Sequence, residues 1–179
     1  MKNILQLSIA GILLIAACSP SREKTFGNDF SSREKKLLKI SREIINHAYF
    51  ATLITHGQEE ELHARIMEPF PPDSNFVIWL GTNRLSRKVK EIHNNPHATL
   101  FYFDASAPGY VSLYGKAELV DDEKSKQKYW RKAWKQFYPE KKNYLLIRFI
   151  PYRLEMIHPG KNLPGDSITW KPYEVILRK

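Results

Sequence analysis

Glycine and proline punctuate this chain so closely that most of it can fold only into short segments. Gly57 lies in a turn over 56–59, Pro69, Pro71 and Pro72 forbid regular structure, Gly81 ends a third segment, Pro96 stops the next, and Pro108-Gly109 turns the one after. The intervening runs are rich in β-branched and aromatic residues, which suit strands. They predict strands over Tyr49–Thr55, Leu62–Met67, Phe76–Leu80, Ala98–Phe103, Tyr110–Val120 and Tyr144–Ile157, with a last one near Tyr173–Leu177. Pro151 inside the sixth run implies an edge or a bulge.

Three segments carry helical signals instead. Ser31-Ser32-Arg33-Glu34 fits a capping box, and Leu37, Leu38, Ile44, Ile45 and Ala48 share one face behind it, predicting a helix over Ser32–His47. A short helix over Leu85–Asn94 would turn Val89 and Ile92 inward. A longer one, capped by Asp121 or Asp122 and reaching Phe137, would bury Trp130, Ala133, Trp134 and Phe137. The fold class expected is mainly β with α: six or seven strands in a closed or nearly closed barrel with flanking helices.

The first residues read differently. After Met1-Lys2-Asn3, the run Ile4 to Ala17 carries no charge and is too short for a spanning helix, which needs roughly 20 apolar residues. It has the proportions of a secretory signal peptide. The chain's only cysteine follows directly in Ile15-Ala16-Ala17-Cys18, an arrangement that resembles the lipobox of bacterial lipoproteins. The expectation is a signal peptide over 1–17, lipidation of Cys18, a polar tether over 18–30 and one domain over 31–179, exported and lipid-anchored at a bacterial cell envelope. An ordinary signal peptide cut near this point, or a buried cysteine, is the plainer alternative.

The formal net charge is +9, which favours anionic partners without choosing among them. His93 and His97 have the spacing of a helical metal pair, but Pro96 ends the helix between them, so no metal site is expected. Trp130 and Trp134 among lysines could suggest a nucleic-acid surface; one core face and one basic face of a helix explain them more simply, and export argues against nucleic acid as a partner.

The chemistry concentrates in Trp79 to Pro96, WLGTNRLSRKVKEIHNNP. A strand ends, Thr82 and Asn83 supply polar groups, and Ser86-Arg87-Lys88 opens a helix. Helix-start N–H groups with Arg and Lys beside them suit a phosphate. Ser86 is equally a plain N-cap, and Arg87 and Lys88 are equally surface charges.

With Arg65-Ile66-Met67, Trp79-Leu80-Gly81-Thr82, Ser86-Arg87-Lys88, Glu91-Ile92, Asn95-Pro96, Gly115-Lys116-Ala117-Glu118, Asp122, Trp130 to Pro139 and Leu145 to Glu155 in this order, the chain resembles the pyridoxamine-phosphate-oxidase-like family of FMN-binding split barrels, in its general stress protein branch. The resemblance runs from about Lys35 to His158. It implies a six- to seven-stranded split β-barrel, FMN at a homodimer interface and oxidoreductase activity. Carried over by position, Arg87 and Lys88 would hold the phosphate with Ser86 close by. Thr82 and the backbone near Trp79 would touch the isoalloxazine or ribityl chain, and Arg65 with the Ile66 and Met67 backbone would line the flavin edge. A cation there would stabilise the anionic reduced flavin. The substrate half departs from the family. Phe70 stands where true pyridoxamine-phosphate oxidases carry a phosphate-binding lysine, Tyr110-Val111-Ser112 replaces their Gln-Val-Arg, and their C-terminal Arg-Leu-His is missing. The substrate stays open. The rival readings are a non-catalytic flavin binder and a haem-binding split barrel using His158 or another histidine.

Overall fold

The computed structural model describes residues 30–178; the expected signal peptide over 1–17, Cys18 and the expected tether up to residue 29 lie outside the described residues. Helix α1 covers Ser32–Ala48 and starts on the predicted capping box: Ser31 Oγ accepts from the Glu34 N–H, and the Glu34 carboxylate accepts from the Ser31 N–H at 2.8 Å. It buries Leu37, Leu38, Ile40, Ile44 and Ile45 against the sheet.

Seven strands follow: β1 (Ala51–His56), β2 (Leu62–Met67), β3 (Ile78–Asn83), β4 (His97–Asp104), β5 (Gly109–Val120), β6 (Tyr144–Ile157) and β7 (Tyr173–Ile176). They form one antiparallel sheet in the order β2-β1-β4-β5-β6-β3, with β7 beside β6. The sheet curls until its two edges approach each other, where Pro69 bridges Leu80 and the Phe70 N–H donates to the Trp79 carbonyl at 2.8 Å. This is the curled, partly closed half-barrel of a split-barrel fold. Leu53, Leu80, Leu100, Leu113, Ile147, Phe149 and Leu154 fill its interior and are fully buried.

β6 explains how Pro151 is accommodated. One of its flanks pairs with β3 over 144–149 and with β7 over 153–156, so Pro151 falls in the gap between them and its missing N–H breaks no pairing with either. On the other flank the register against β5 shifts at Tyr114/Gly115, which is the expected bulge.

Two expectations are corrected. The third strand does not end at Leu80. Gly81, Thr82 and Asn83 continue it against Leu146, Leu145 and Tyr144. Gly81 is required there by close packing, because a Cβ would sit 2.5 Å from the Trp134 ring. The start of the predicted strand also shifts, with Phe76 at φ 59 in the preceding turn.

The long third helix is also not continuous. Asp122 caps a short α3 (Glu123–Lys128), the chain turns extended at Arg131, and a 3-10 segment covers Lys132–Gln136. Ala133 and Phe137 are exposed rather than buried. The break lets Arg131 and Trp134 reach one acceptor: Glu68 binds the Arg131 guanidinium and accepts from Trp134 Nε1 at 2.8 Å. Arg131 also donates to the Pro69 carbonyl at 2.8 Å. These contacts and the aromatic cluster of Trp134, Tyr144, Trp130 and Tyr138 outweigh the helical continuity that spacing alone suggests. α2 (Arg87–Asn94) forms as predicted, with Ile92 buried and Val89 half-buried.

Candidate functional site

Where the edge strands β2 and β3 diverge, they leave a cleft of about 360 Å³. One wall is the end of β2, Ile66 and Met67, with Glu68 just beyond it. The other is β3 at Gly81, Thr82 and Asn83, with Lys88 from the first turn of α2. Trp134, Phe137 and Tyr138 of the interrupted helix close the third side. The cleft therefore has aromatic and aliphatic walls and a polar end.

That polar end is a small cluster. Lys88 Nζ donates to Thr82 Oγ1 at 3.3 Å, and Thr82 Oγ1 lies 3.2 Å from Ser86 Oγ. Ser86 occupies the N-cap of α2, yet its side chain does not cap the helix. Of the first N–H groups of α2, those of Ser86 and Val89 donate to the Asn83 and Ser86 carbonyls, which leaves those of Arg87 and Lys88 without an acceptor inside the helix. Lys88 is half-buried and has no carboxylate within ion-pair distance among the described residues. Burial and then the neighbouring Arg65 charge lower its pKa, against a smaller opposing effect of Glu91. An ammonium held among hydroxyls in this way is suited to an anionic group.

The other predicted residues are placed differently. Trp79 stacks on Tyr129 at 4.5 Å and does not line the cleft. Arg65 turns to Thr55 and to Glu91, whose Oε2 it meets at 2.8 Å. Arg87 is 68% exposed and pairs through Nε with Glu91 Oε1 at 3.0 Å. Glu91 itself is buried and also accepts from Thr55 Oγ1 at 2.5 Å and pairs with His63 Nδ1 at 2.6 Å. Burial pushes its pKa up, but the hydrogen bonds of Thr55, His63 and Arg65, with the Arg65 charge, outweigh this and hold it below the ordinary carboxylate value. The structure thus gathers Ile66, Met67, Thr82 and Lys88 along the cleft, sets Ser86 behind them on Thr82, and places Arg65 and Arg87 on Glu91.

Glu68, Trp134, Phe137 and Tyr138 are the lining residues that sequence reasoning missed. Glu68 follows a predicted strand directly. The three aromatics carried a signal, but one identical to that of a core-facing helix. Burial raises the Glu68 pKa, and its hydrogen bonds with Tyr49, Trp134 and Arg131 more than reverse that.

Residues 36–153 match the family described as pyridoxamine 5'-phosphate oxidase like. The chain belongs to this family. Among curated relatives of this oxidase-like chain, General stress protein 26 of Bacillus subtilis (strain 168) is 25% identical over 127 residues, covering 68% of this chain and 89% of that one. The crystal structure of General Stress Protein 26 from Bacillus anthracis str. Sterne is 28% identical, covers 68% of this chain and 93% of the other, and has a TM-score of 0.59. Two more distant members of the fold are similar in shape. One is a pyridoxamine 5'-phosphate oxidase-related, FMN binding protein from Nostoc punctiforme PCC 73102, at 13% identity, 84% and 99% coverage and TM-score 0.58. The other is a heme binding protein from Mycobacterium smegmatis, at 14% identity, 76% and 56% coverage and TM-score 0.57. At those identities the likeness concerns the fold.

Proposed function

We propose that this member of the family binds FMN in the cleft and acts as an FMN-dependent oxidoreductase. The observation that carries the reading is Lys88: a half-buried ammonium that donates to Thr82, itself beside Ser86, at the start of a helix and without a carboxylate partner among the described residues. It provides a phosphate seat, and the adjoining Ile66, Met67, Trp134 and Tyr138 provide apolar surface for a planar ring system. FMN, when bound, supplies one- and two-electron transfer. The protein's part is to bind and orient. Lys88, Thr82 and Ser86 hold the anionic end, and Arg87, one residue earlier, adds positive charge from the helix start. We assign Arg65 to tying β1, β2 and α2 together through Glu91, because its guanidinium is already engaged there.

Pyridoxamine phosphate is not the substrate in this reading. Phe70, at the position of the family's substrate lysine, is packed under Arg131 at 4.5 Å and against Trp134 at 5.6 Å. Haem is disfavoured because no histidine lines the cleft among the described residues. His47 is on Asp104, His63 bridges Glu61 and Glu91, and His158 is buried beside Gly109. Exposed Ile66 and Phe137 at the cleft mouth, 67% and 64% exposed, support a homodimer in which a second copy covers the flavin. The sequence before residue 30 supports export and acylation at Cys18. Mass spectrometry of mature protein is expected to show an acylated N-terminal cysteine; an unmodified N-terminus beyond Cys18 would overturn the anchor.

The absorption spectrum of the purified full-length protein, loaded separately with FMN and with haem, tests the cofactor class. Saturable flavin bands that NAD(P)H bleaches are expected. Haem loading in preference to FMN would overturn the reading, and FMN that binds but resists every reductant would reduce the protein to a carrier.

A further inference from the structure

A second cavity, of about 350 Å³, shares the aromatic cluster with the cleft but none of its lining residues. Its floor is Trp130 and Tyr144, whose rings meet edge to face at 5.1 Å. The Tyr144 hydroxyl is engaged, donating to the Tyr129 carbonyl at 2.6 Å, so the floor is aromatic rather than polar. α3 supplies one rim through Lys126 and Gln127, and the 3-10 turn over Lys141–Asn143 supplies the other through Lys141 and Lys142.

The cations of this rim are not equivalent. Lys126 is held by Asp121 at 2.6 Å and Glu123 at 3.3 Å, and Lys142 pairs with Glu140 at 3.0 Å. The side chains of Lys141 and Gln127 have no hydrogen-bond or ion-pair partner among the described residues. One ammonium and one amide therefore face an aromatic floor uncommitted.

The surrounding charge is just as uneven. From Lys124 to Lys142 the chain holds eight basic residues against one acidic, Glu140, a net of +7. The other described residues balance, with sixteen basic and sixteen acidic. The net charge of the described domain thus sits on residues 124–142, and the cavity's own lining holds Lys126, Lys141 and Lys142 against one carboxylate, Glu123. Lys124, Lys128, Lys132 and Lys135 are exposed around it, and such a field concentrates anions.

We infer that the cavity between α3 and the 141–143 turn is a binding site for a small planar aromatic anion, its ring on Trp130 and its acidic group on Lys141. The volume lies at the small-molecule end of pocket sizes, about 300–1,000 Å³. The site needs no flavin, so it stands or falls separately from the cleft.

The test uses 2-naphthoate and its neutral counterpart 2-naphthamide, titrated by calorimetry into the full-length chain while the Trp130 indole N–H is followed by NMR. Naphthoate is expected to saturate one site per chain that moves the Trp130 signal. The amide is expected to bind about tenfold more weakly, as loss of a charge-assisted contact implies. Lys141→Gln, an exposed and unpaired position, brings naphthoate down to the amide's level, whereas Lys88→Ala leaves it unchanged. Absence of saturable binding, equal affinity for acid and amide, or a loss that follows Lys88→Ala instead of Lys141→Gln would overturn the site. So would tighter, steeply salt-dependent binding of a single-stranded oligonucleotide, which would make the basic segment a nucleic-acid surface.

Discussion

Glu91 is nearly excluded from water, at 6% exposure, and meets Thr55, His63, Arg65 and Arg87, which come from β1, β2 and α2. Removing one partner of a buried pair leaves the other charge uncompensated. Glu91→Leu is therefore expected to cost about 3–5 kcal/mol in urea unfolding. A cost within the roughly 0–1 kcal/mol of a surface pair would show that water already satisfies Arg65. Asp104 gives the acid side of stability. Hydrogen bonding by Ser106 is the largest cause, with His47 also lowering it against the opposing effect of burial, and together they hold its pKa at about 2 against an ordinary 3.8. A depressed carboxylate stabilises the fold above its unfolded value and stops doing so as pH falls through its folded value. The stability gap between wild type and Asp104→Asn is thus expected to close as pH falls from 3.8 toward 2, measured by denaturation at each pH. A gap that persists below that window would assign the effect to packing.

At the scale of elements, Gly81 connects strand packing to the cleft. A Cβ there would lie 2.5 and 3.0 Å from Trp134 ring atoms and 3.0 Å from the Tyr144 ring, so Gly81→Ala must displace the aromatic wall. Overpacking of this kind costs about 1–3 kcal/mol. The variant is expected to lose stability, change its tryptophan emission and weaken flavin binding; an unchanged emission spectrum would place the Trp134 ring elsewhere. This position also shows what the sequence conceals. Gly81 reads as a strand breaker, yet its use is to let a ring approach a strand that continues to Asn83. α1 was legible because its capping box and apolar face are local, and β1, β2, β4, β5 and β6 because their composition and turns are local too. The segment after Asp122 was not, since Trp130 and Trp134 have the same spacing whether the helix runs on or breaks. What breaks it is Glu68, far away in the chain. The candidate site was legible to the same extent. Ile66, Met67, Thr82 and Lys88 along the cleft, with Ser86 beside Thr82, were within reach of reading, whereas the capture of Arg65 and Arg87 by Glu91 depends on three elements meeting.

For the whole molecule, the exposed Ile66 and Phe137 beside the cleft make association part of the account. If a second copy covers them, folding and association are coupled and the thermal midpoint rises with protein concentration. A concentration-independent midpoint, with a monomer by light scattering that still binds one flavin per chain, would contradict the dimer. The central claim is narrower: FMN is held in the cleft by its phosphate, on Lys88, Thr82 and Ser86. Fluorescence-quenching titrations of FMN and riboflavin into wild type, Lys88→Met and Arg87→Ala test it most directly, because riboflavin lacks only the phosphate and Met keeps the bulk of the lysine stem. Lys88→Met is predicted to weaken FMN roughly 10- to 150-fold, the range of a charge-assisted contact, and to leave riboflavin nearly unchanged. Arg87→Ala is predicted to cost less, since its Nε is already on Glu91. Equal losses of FMN and riboflavin, or no loss of either in Lys88→Met, would contradict the account.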